Sequence, residues 1–335
     1  IVNRIESSLG FTQRLIDTQP LYTLANPQVA DRFNKLKEQN RNYLAHEYFN
    51  RDWHPMYFAD MANWLAPAKL SFASSSHFLD HVEAINLSPA QQELLASIAD
   101  PDFKQTTRDY LVNQQFRKDY WVKGPVKLDP LRRADLIRAE RVILVTNRAD
   151  VPLKVQGLRG EATLSETVYA PVLEALSDHK IHAIGELEAI VQTKGVNLPQ
   201  LTEALIMLAG LGHVYSAQED SAIKSAHQSC QKINRDMMVR SRSTGDLSFL
   251  ASPVTGGGIT VPRFHQLFLL AAQQGKPKPE EWAQYVWQVL AVQGQSILKD
   301  GKALATPEEN LAELNEQAQA FSNKHLPILK ALGVA

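Results

Sequence analysis

The sequence predicts an α+β protein that is predominantly helical, and three observations support this. Of its 335 residues, 44% are hydrophobic and 21% are charged, which is an ordinary globular composition with enough chain for two or three domains. Helix-start signals recur; the clearest are at Ser88 and Thr306, each followed directly by proline and, three residues on, by Gln91 or Glu309. Short apolar runs at 70–74 and 141–145 predict strands.

Element patterns also indicate where the domains divide. Helical patterns run through 1–40 and 42–65, with further helices at about 89–100 and 103–116. Near 150–165 glycines and scattered charges interrupt the periodicity. We therefore predict a helical lead-in from an upstream domain at 1–40, a middle domain at 41–150 and a C-terminal domain at 151–335.

Residues 180–217 have the element order of a winged helix. A helix at 183–193, a turn at Gly195, a second helix at 200–211 and a strand at 213–217 follow one another. The second helix, which reads DNA in such folds, contains no lysine or arginine and one acid, Glu203, so it cannot neutralise phosphates. We predict a degenerate winged helix whose second helix belongs to the core.

The rest of the C-terminal domain is predicted as amphipathic helices. A stripe with steps of three and four residues predicts a long helix, and it consists of Ile223, Ala226, Cys230, Ile233 and Met237. A loop at 241–258 follows, then helices from 261, over about 280–298 and from 307. Because Cys230 lies within the stripe, packing is favoured over a nucleophilic role.

Charge and cysteine content exclude several classes of protein. Lys plus Arg number 35 and Asp plus Glu 36, giving a net charge of −1, so nothing points to nucleic acid or to an anionic membrane. A single cysteine fits a reducing compartment, and we predict a cytoplasmic protein. No stretch approaches the roughly 20 apolar residues of a membrane span. Since the chain begins at Ile1, we expect a fragment of a longer protein.

Motifs for catalysis or for cofactor binding are not evident. An S-adenosylmethionine (SAM) site needs a strand followed by a glycine-rich turn, and the only glycine cluster, at 256–258, lacks that strand and is interpreted as a flexible joint. His77 and His81 have the spacing of a zinc pair on a helix, but no third ligand is in view. We therefore predict no catalytic residue, no cofactor and no metal in this chain.

Residues 42–60 form the most distinctive segment, with six aromatic rings, two histidines and three acids in nineteen positions. Rings and ionisable groups interleave there, which is typical of a partly exposed binding surface. Tyr43, Leu44, Tyr48 and Phe58 could equally be core residues, with the acids as helix caps. As candidates for substrate or domain contact we select His46, Glu47, Asp52, Trp53, Tyr57 and Asp60.

The same segment resembles a known family. The runs Tyr43-Leu44-Ala45-His46-Glu47-Tyr48-Phe49, Trp53-His54-Pro55 and Tyr57-Phe58-Ala59-Asp60, with Asn113-Gln114-Gln115-Phe116-Arg117-Lys118-Asp119 leading to Lys123-Gly124, are similar to the methyltransferase regulatory domain of bacterial SAM-dependent, protein-lysine type methyltransferases. The segments 180–217 and 251–270 are similar to the C-terminal part of the same enzymes. The resemblance implies a separate SAM-binding domain upstream, with the middle and C-terminal domains shaping the substrate cavity.

Together these observations predict the regulatory and substrate-presenting portion of a SAM-dependent methyltransferase that acts on protein. This chain alone is not expected to be catalytic; its expected partners are the upstream SAM-binding domain and a protein substrate, and homo-oligomerisation stays open. The alternative is a stand-alone protein-interaction module with a degenerate winged helix and no enzymatic activity.

Overall fold

The computed structural model describes residues 1–335, which form two compact units, Ile1–Leu65 and Ala66–Ala335. The first unit has a small core in which Ile5, Leu9 and Leu44 are buried and Tyr48 packs against them. Apolar side chains four residues apart lie on one face of a helix, which is why Ile5 and Leu9 point to this core together. The helices are α1 (Val2–Asp17), α2 (Leu21–Ala25), α3 (Gln28–Lys37), α4 (Arg41–Glu47) and α5 (Phe58–Leu65).

The second unit opens with a two-stranded antiparallel sheet and short helices. Its elements are β1 (Leu70–Ser75), α6 (Glu83–Asn86), α7 (Pro89–Ser97), α8 (Pro101–Val112), β2 (Asp119–Lys123) and α9 (Pro130–Ala139). β1 confirms the strand predicted at 70–74, and the capping box of Ser88 with Gln91 is present at the start of α7. β2, which pairs Lys123 with Leu70, was not predicted.

A three-stranded sheet surrounded by helices follows. The elements are β3 (Arg141–Leu144), β4 (Lys154–Gly157), β5 (Gly160–Thr163), α10 (Glu166–Ala175), β6 (His182–Ala183), α11 (Ile184–Gln192), α12 (Leu198–Gly210) and β7 (Val214–Ser216). The sheet order is β6-β3-β7, so its central strand precedes the helices in the chain. α12 buries Leu201, Leu205 and Leu208, which confirms a core helix. The winged-helix assignment stays a prediction.

The last part of the chain is mainly helical. Its elements are α13 (Asp220–Arg240), β8 (Phe249–Ser252), β9 (Gly257–Thr260), α14 (Arg263–Gln273), α15 (Pro279–Val292), β10 (Leu298–Lys299), β11 (Lys302–Ala303), α16 (Pro307–Ala320) and α17 (Leu326–Ala331), with a π-helical turn at Phe321–His325. Predicting 241–258 as a loop was wrong, because β8 and β9 pair as a hairpin that Gly256 turns at φ +70°. The helix predicted over 280–298 ends at Val292.

Two hydrophobic clusters hold the second unit together. One lies among β3, β7 and helices α10 to α12, and includes Val142, Leu144 and Leu187. The other lies among α14 to α17 and the β8–β9 hairpin, and includes Phe268, Trp282 and Phe321. β3 joins them, because Val142 and Leu144 belong to the first cluster and Ile143 belongs to the second. None of the helices combines the length and the apolar character that crossing a membrane requires.

Candidate functional site

The candidate site lies in the first unit, at the end of α4, in the connection that follows and at the start of α5. Asn40 begins α4 as its cap, its side-chain oxygen accepting hydrogen bonds from the backbone N–H groups of Asn42 at 2.8 Å and Tyr43 at 3.4 Å. Leu44 and Phe58 are buried, at 0% and 3% exposed. These two buried side chains hold the two ends of the segment against the protein interior, and most side chains between them are exposed.

All six predicted site residues are exposed. His46 and Glu47 end α4, Asp52 and Trp53 lie in the connection, Tyr57 precedes α5, and Asp60 lies in the first turn of α5. We call this set, which consists of His46, Glu47, Asp52, Trp53, Tyr57 and Asp60, the aromatic–acidic surface.

Aromatic rings form a row along this surface. The ring centroids of Tyr43 and Tyr48 are 6.4 Å apart, and those of Tyr48 and Trp53 are 6.3 Å apart. Tyr48 is half-buried and contacts the core, whereas Tyr43 and Trp53 remain 45% and 55% exposed. Of the four residues for which a core role was equally open, Leu44 and Phe58 are core, Tyr48 is intermediate and Tyr43 is not buried. An exposed ring face of this kind can bind an ammonium or guanidinium group.

The acids of the surface differ in their surroundings. One carboxylate oxygen of Asp60 accepts a hydrogen bond from the backbone N–H of Tyr57 at 3.3 Å, so this acid helps to begin α5. The carboxylates of Glu47 and Asp52 make no hydrogen bond or ion pair, and neither does the His46 ring. The surface thus offers two unpaired carboxylates and exposed rings within one short segment, and both kinds of group can attract a cation. An orienting role for His46 stays a prediction.

A cavity in the second unit lies within the region from which the resemblance was drawn, and sequence reasoning missed it. Its volume is about 490 Å³, and its polar lining is dominated by side-chain amides, those of Asn86, Asn113, Gln114, Gln115 and Gln156. Asn113 ends α8 in the left-handed conformation, at φ +50°, and thereby turns the amide-rich run away from the helix. In the sequence, the one indication of this cavity is the run of three consecutive side-chain amides at 113–115.

A half-buried ion cluster connects α8 to the sheet beside this cavity. Arg117 donates hydrogen bonds to the carboxylates of Asp109 and Asp119, and its guanidinium carbon lies 5.5 Å from the ring centre of Phe72. Burial raises the pKa of Asp109, and the neighbouring Arg117 opposes that rise. Because these charges satisfy one another between α8, β1 and β2, we assign them a structural role.

His77 and His81, which have the spacing of a zinc pair, do not lie on one face of a helix. His77 precedes a short 3₁₀ turn, and its Nδ1 lies 3.7 Å from a carboxylate oxygen of Asp80, whereas a ring nitrogen of His81 lies 2.9 Å from the backbone oxygen of Ser75. The two rings thus have different partners. No group of three or more His, Cys, Asp or Glu side chains is placed to hold a metal ion.

Part of the chain matches a known protein family. Residues 40–123 match the family model described as a predicted methyltransferase regulatory domain. The match confirms the regulatory-domain part of the resemblance, and it contains both the aromatic–acidic surface and most of the lining of the amide-rich cavity.

A curated relative and two solved structures are similar to the whole chain. The chain is 40% identical over all 335 residues to the uncharacterized protein sll1526 of Synechocystis sp., of which it spans 65% of the length. The structure of PKMT2 from Rickettsia typhi in complex with AdoHcy is similar with a TM-score of 0.58 at 12% identity, over 98% of this chain and 67% of that one. A second structure of PKMT2 from Rickettsia typhi is similar with a TM-score of 0.52 at 11% identity, over 90% of this chain and 64% of that one. The fold of this chain is therefore similar to that of PKMT2. The chain also contains a methyltransferase-associated domain, at residues 40–123.

Proposed function

We propose that this chain is the regulatory and substrate-presenting part of a SAM-dependent methyltransferase that acts on protein. The aromatic–acidic surface is the observation that supports this most strongly, because it is exposed and lies inside the segment that matches the regulatory-domain model. The similarity to PKMT2 adds the suggestion that the methyl acceptor is a lysine side chain.

The chemistry of lysine methylation explains why such a surface is useful. A lysine ammonium has to be oriented and partly desolvated before it loses its proton and becomes a nucleophile. Exposed rings such as Trp53 attract the cation through their π faces, and unpaired carboxylates such as Glu47 and Asp52 supply the counter-charge. In this proposal His46 orients a neighbouring group, and Tyr57 and Asp60 complete the contact surface.

The amide-rich cavity is suited to the backbone of a protein substrate. Each Asn or Gln side chain offers one acceptor and two donors, which matches the alternating N–H and C=O groups of an extended peptide. Asn113, Gln114 and Gln115 follow one another in the lining. Gln115 already donates to Asn113 and Gln114 donates to the carbonyl of Phe116, so part of their hydrogen-bonding capacity remains for a peptide. We infer that the acceptor protein contacts this cavity with main-chain groups, independently of its sequence.

SAM, in this proposal, is bound by a domain outside residues 1–335. The glycine cluster does not supply such a site. The prediction that no strand precedes it was wrong, because β8 does, but Gly256 to Gly258 turn the chain back into β9 as a hairpin instead of leading into a helix, and Gly258 packs against Phe249. The helix pair α11 and α12, which we interpret as a degenerate winged helix, acts as a scaffold because α12 faces the core. We further propose a cytoplasmic protein.

Methyl transfer by the complete encoded polypeptide tests the proposal. With labelled SAM and a lysine-containing peptide library as acceptor, Glu47→Gln and Trp53→Ala should each lower kcat/KM about tenfold, since each removes part of the cation site. Thermal unfolding should be unchanged for Glu47→Gln, whose side chain is exposed, and lowered only slightly for Trp53→Ala, whose half-exposed ring contacts Tyr48. An arginine-substituted library serves as the blank.

Two matched variants serve as controls. Glu38→Gln and Trp64→Ala remove an exposed acid and an exposed indole of the same unit that lie outside the aromatic–acidic surface. Equal activity in all four variants would refute the role of the surface. No methyl transfer by the wild-type polypeptide would instead favour the protein-interaction module.

A further inference from the structure

A second cavity, of about 270 Å³, lies in the second unit between β1, α7 and α8, and the proposed function makes no use of it. Its apolar lining includes Phe72 of β1 and Leu95 of α7, which is 2% exposed. Much of its polar lining comes from one face of α8, where Lys104 and Arg108 lie four residues apart. The volume is just below the range usual for small-molecule sites, which favours a single side chain as the occupant.

Arg108 retains hydrogen-bond donors that the protein does not use. Its side chain is 12% exposed, and its Nη2 donates to the backbone carbonyl of Asp80 at 3.1 Å. Its Nε and Nη1 donate to no protein atom, although both keep some surface that is accessible to solvent. Because most of this side chain is already removed from water, an anion that binds there adds little to the desolvation of the cation. Arg108 is therefore suited to bind an anion.

Lys104 adds a second positive charge to the cavity. It is half-buried, and its ammonium group forms neither an ion pair nor a hydrogen bond. The third cation of the lining, Arg117, is already matched by the carboxylates of Asp109 and Asp119. The positive charge that is available to a ligand thus comes from the two cations of α8.

Two acids of the lining oppose this charge only in part. One carboxylate oxygen of Asp80 accepts a hydrogen bond from the hydroxyl of Ser75 at 2.7 Å, and the other lies 3.8 Å from Nη2 of Arg108, which is too long for a hydrogen bond. Glu83 is exposed and forms no ion pair, so water screens its charge. Asp80 thus balances one of the two cations, and the other faces only the solvated Glu83.

This cavity adjoins the amide-rich cavity along α8. Asp80 lines both cavities, and α8 reaches from Arg108 in one to Val112 in the other. These two residues of α8 are roughly 6 Å apart along the helix axis, which corresponds to about two residues of an extended peptide. A chain whose main-chain groups lie in the amide-rich cavity can therefore place a nearby side chain beside Arg108.

We propose that this second cavity binds the carboxylate of an aspartate or glutamate side chain of the substrate protein, with Arg108 and Lys104 as its partners. The inference rests on the proposed function, in which the substrate main chain contacts the amide-rich cavity. It adds a sequence preference to that contact, namely an acid about two residues away from the segment whose main chain the amides bind.

Fluorescence anisotropy of labelled peptides with the chain tests this proposal in the absence of SAM. The probe is a nonapeptide of glycine and serine with one central glutamate, and its counterpart carries glutamine there. At about 0.05 M salt the glutamate peptide should bind saturably and at least about fivefold more tightly than its counterpart, and this preference should shrink at about 0.5 M. Acetate and inorganic phosphate represent free anions; neither should displace the glutamate peptide below about 10 mM, because they make no main-chain contact.

Four variants locate the binding. Arg108→Gln and Lys104→Gln should each reduce the preference for glutamate at least about threefold. Thermal unfolding separates lost binding from lost folding, and Lys104→Gln carries the test where Arg108→Gln lowers the Tm. Glu83→Gln should strengthen binding of the glutamate peptide, whereas Arg133→Gln, at an exposed site outside the lining, should bind as the wild type does.

Three outcomes would overturn this inference alone: equal binding of the two peptides, a preference that survives both Arg108→Gln and Lys104→Gln, or displacement by either free anion below about 10 mM. No saturable binding of either peptide would overturn it together with the main-chain contact in the amide-rich cavity. Because no methyl transfer is measured, these outcomes are distinct from those that test the aromatic–acidic surface.

Discussion

Asn234 is a polar residue that the second unit depends on. It is 1% exposed on α13, its side-chain oxygen accepts from the N–H of Ala251 at 2.6 Å, and its amide nitrogen donates to the carbonyls of Ala251 at 2.9 Å and Val334 at 3.4 Å. The amide thus satisfies the outer edge of β8 as a neighbouring strand would. One side chain connects α13, the β8–β9 hairpin and the C-terminus.

We expect Asn234→Ala to lower the free energy of unfolding by about 2–3 kcal/mol, because it leaves the N–H and C=O of Ala251 unpaired in the interior. Urea unfolding of the chain measures this. Gln228→Ala, which removes an exposed amide from the same helix, should change the free energy of unfolding by less than about 0.5 kcal/mol. A similar value for both variants would show that the Asn234 bonds contribute nothing net.

At the scale of single residues, the sequence predicted which residues form an exposed polar and aromatic surface better than it predicted which neighbouring rings are buried. The candidate residues at 46–60 were chosen for their mixture of rings and charges, and the structure leaves all of them exposed. Which neighbouring ring would be buried was not predictable, since Tyr48 packs against a cluster that includes Ile5 and Leu9, some forty residues away in sequence. The amide-rich cavity was missed for the same reason: residues from 77 to 158 meet there only in the folded chain.

Among the elements, the π-helical turn Phe321–His325 brings two histidines together. The ring centroids of His325 and His265 are 4.8 Å apart, and the ring of His265 also lies 4.8 Å from that of Phe321. Burial, and then the neighbouring His325, lowers the pKa of His265 to about 4. Burial lowers the pKa of His325 as well; of the charges near it, Asp150 opposes this and Lys324 adds to it. The packing of α14 against the turn therefore favours neutral rings.

Stability should accordingly fall as the pH drops from about 6.5 towards 4. In this window the unfolded chain protonates His265 and the folded chain does not, so acid shifts the equilibrium towards unfolding; above 6.5 the contribution is fully present. Urea midpoints at pH 7, 6 and 5 measure the slope. His265→Gln should flatten it, whereas His54→Gln, at an exposed site, should not. An unchanged slope in His265→Gln would contradict this account.

Element starts were predictable where the chemistry is local. Ser88 and Thr306 begin α7 and α16 with the capping boxes that the sequence indicated. The prediction of which α13 residues are buried was less accurate: Ile233 of the predicted stripe is 50% exposed, whereas Asn234 and Met238 are buried. The hairpins β4–β5 and β8–β9 were missed, because each of their strands has only four residues, which is too short for a clear periodic pattern.

At the scale of the whole molecule, the chain divides into two compact units, and the segment that matches the regulatory-domain model spans parts of both. The domain boundaries predicted at about 40 and 150 stay predictions. Similarity to PKMT2 over nearly the whole chain agrees with the predicted α+β class, whereas the cofactor has to come from elsewhere in the proposed enzyme. The division of labour between a SAM-binding part and this chain is thus the central claim.

Calorimetric titration with SAM tests that claim most directly. The chain of residues 1–335 should show no saturable binding, because its glycine-rich turn joins β8 to β9 in a hairpin and does not lead from a strand into a helix, while the complete encoded polypeptide should bind SAM with a Kd in the range of about 1–100 μM. Thermal unfolding of the chain with and without SAM serves as a check, since a ligand that binds only the folded state raises the Tm. Micromolar binding of SAM to the chain alone, or no binding to the complete polypeptide, would contradict the account.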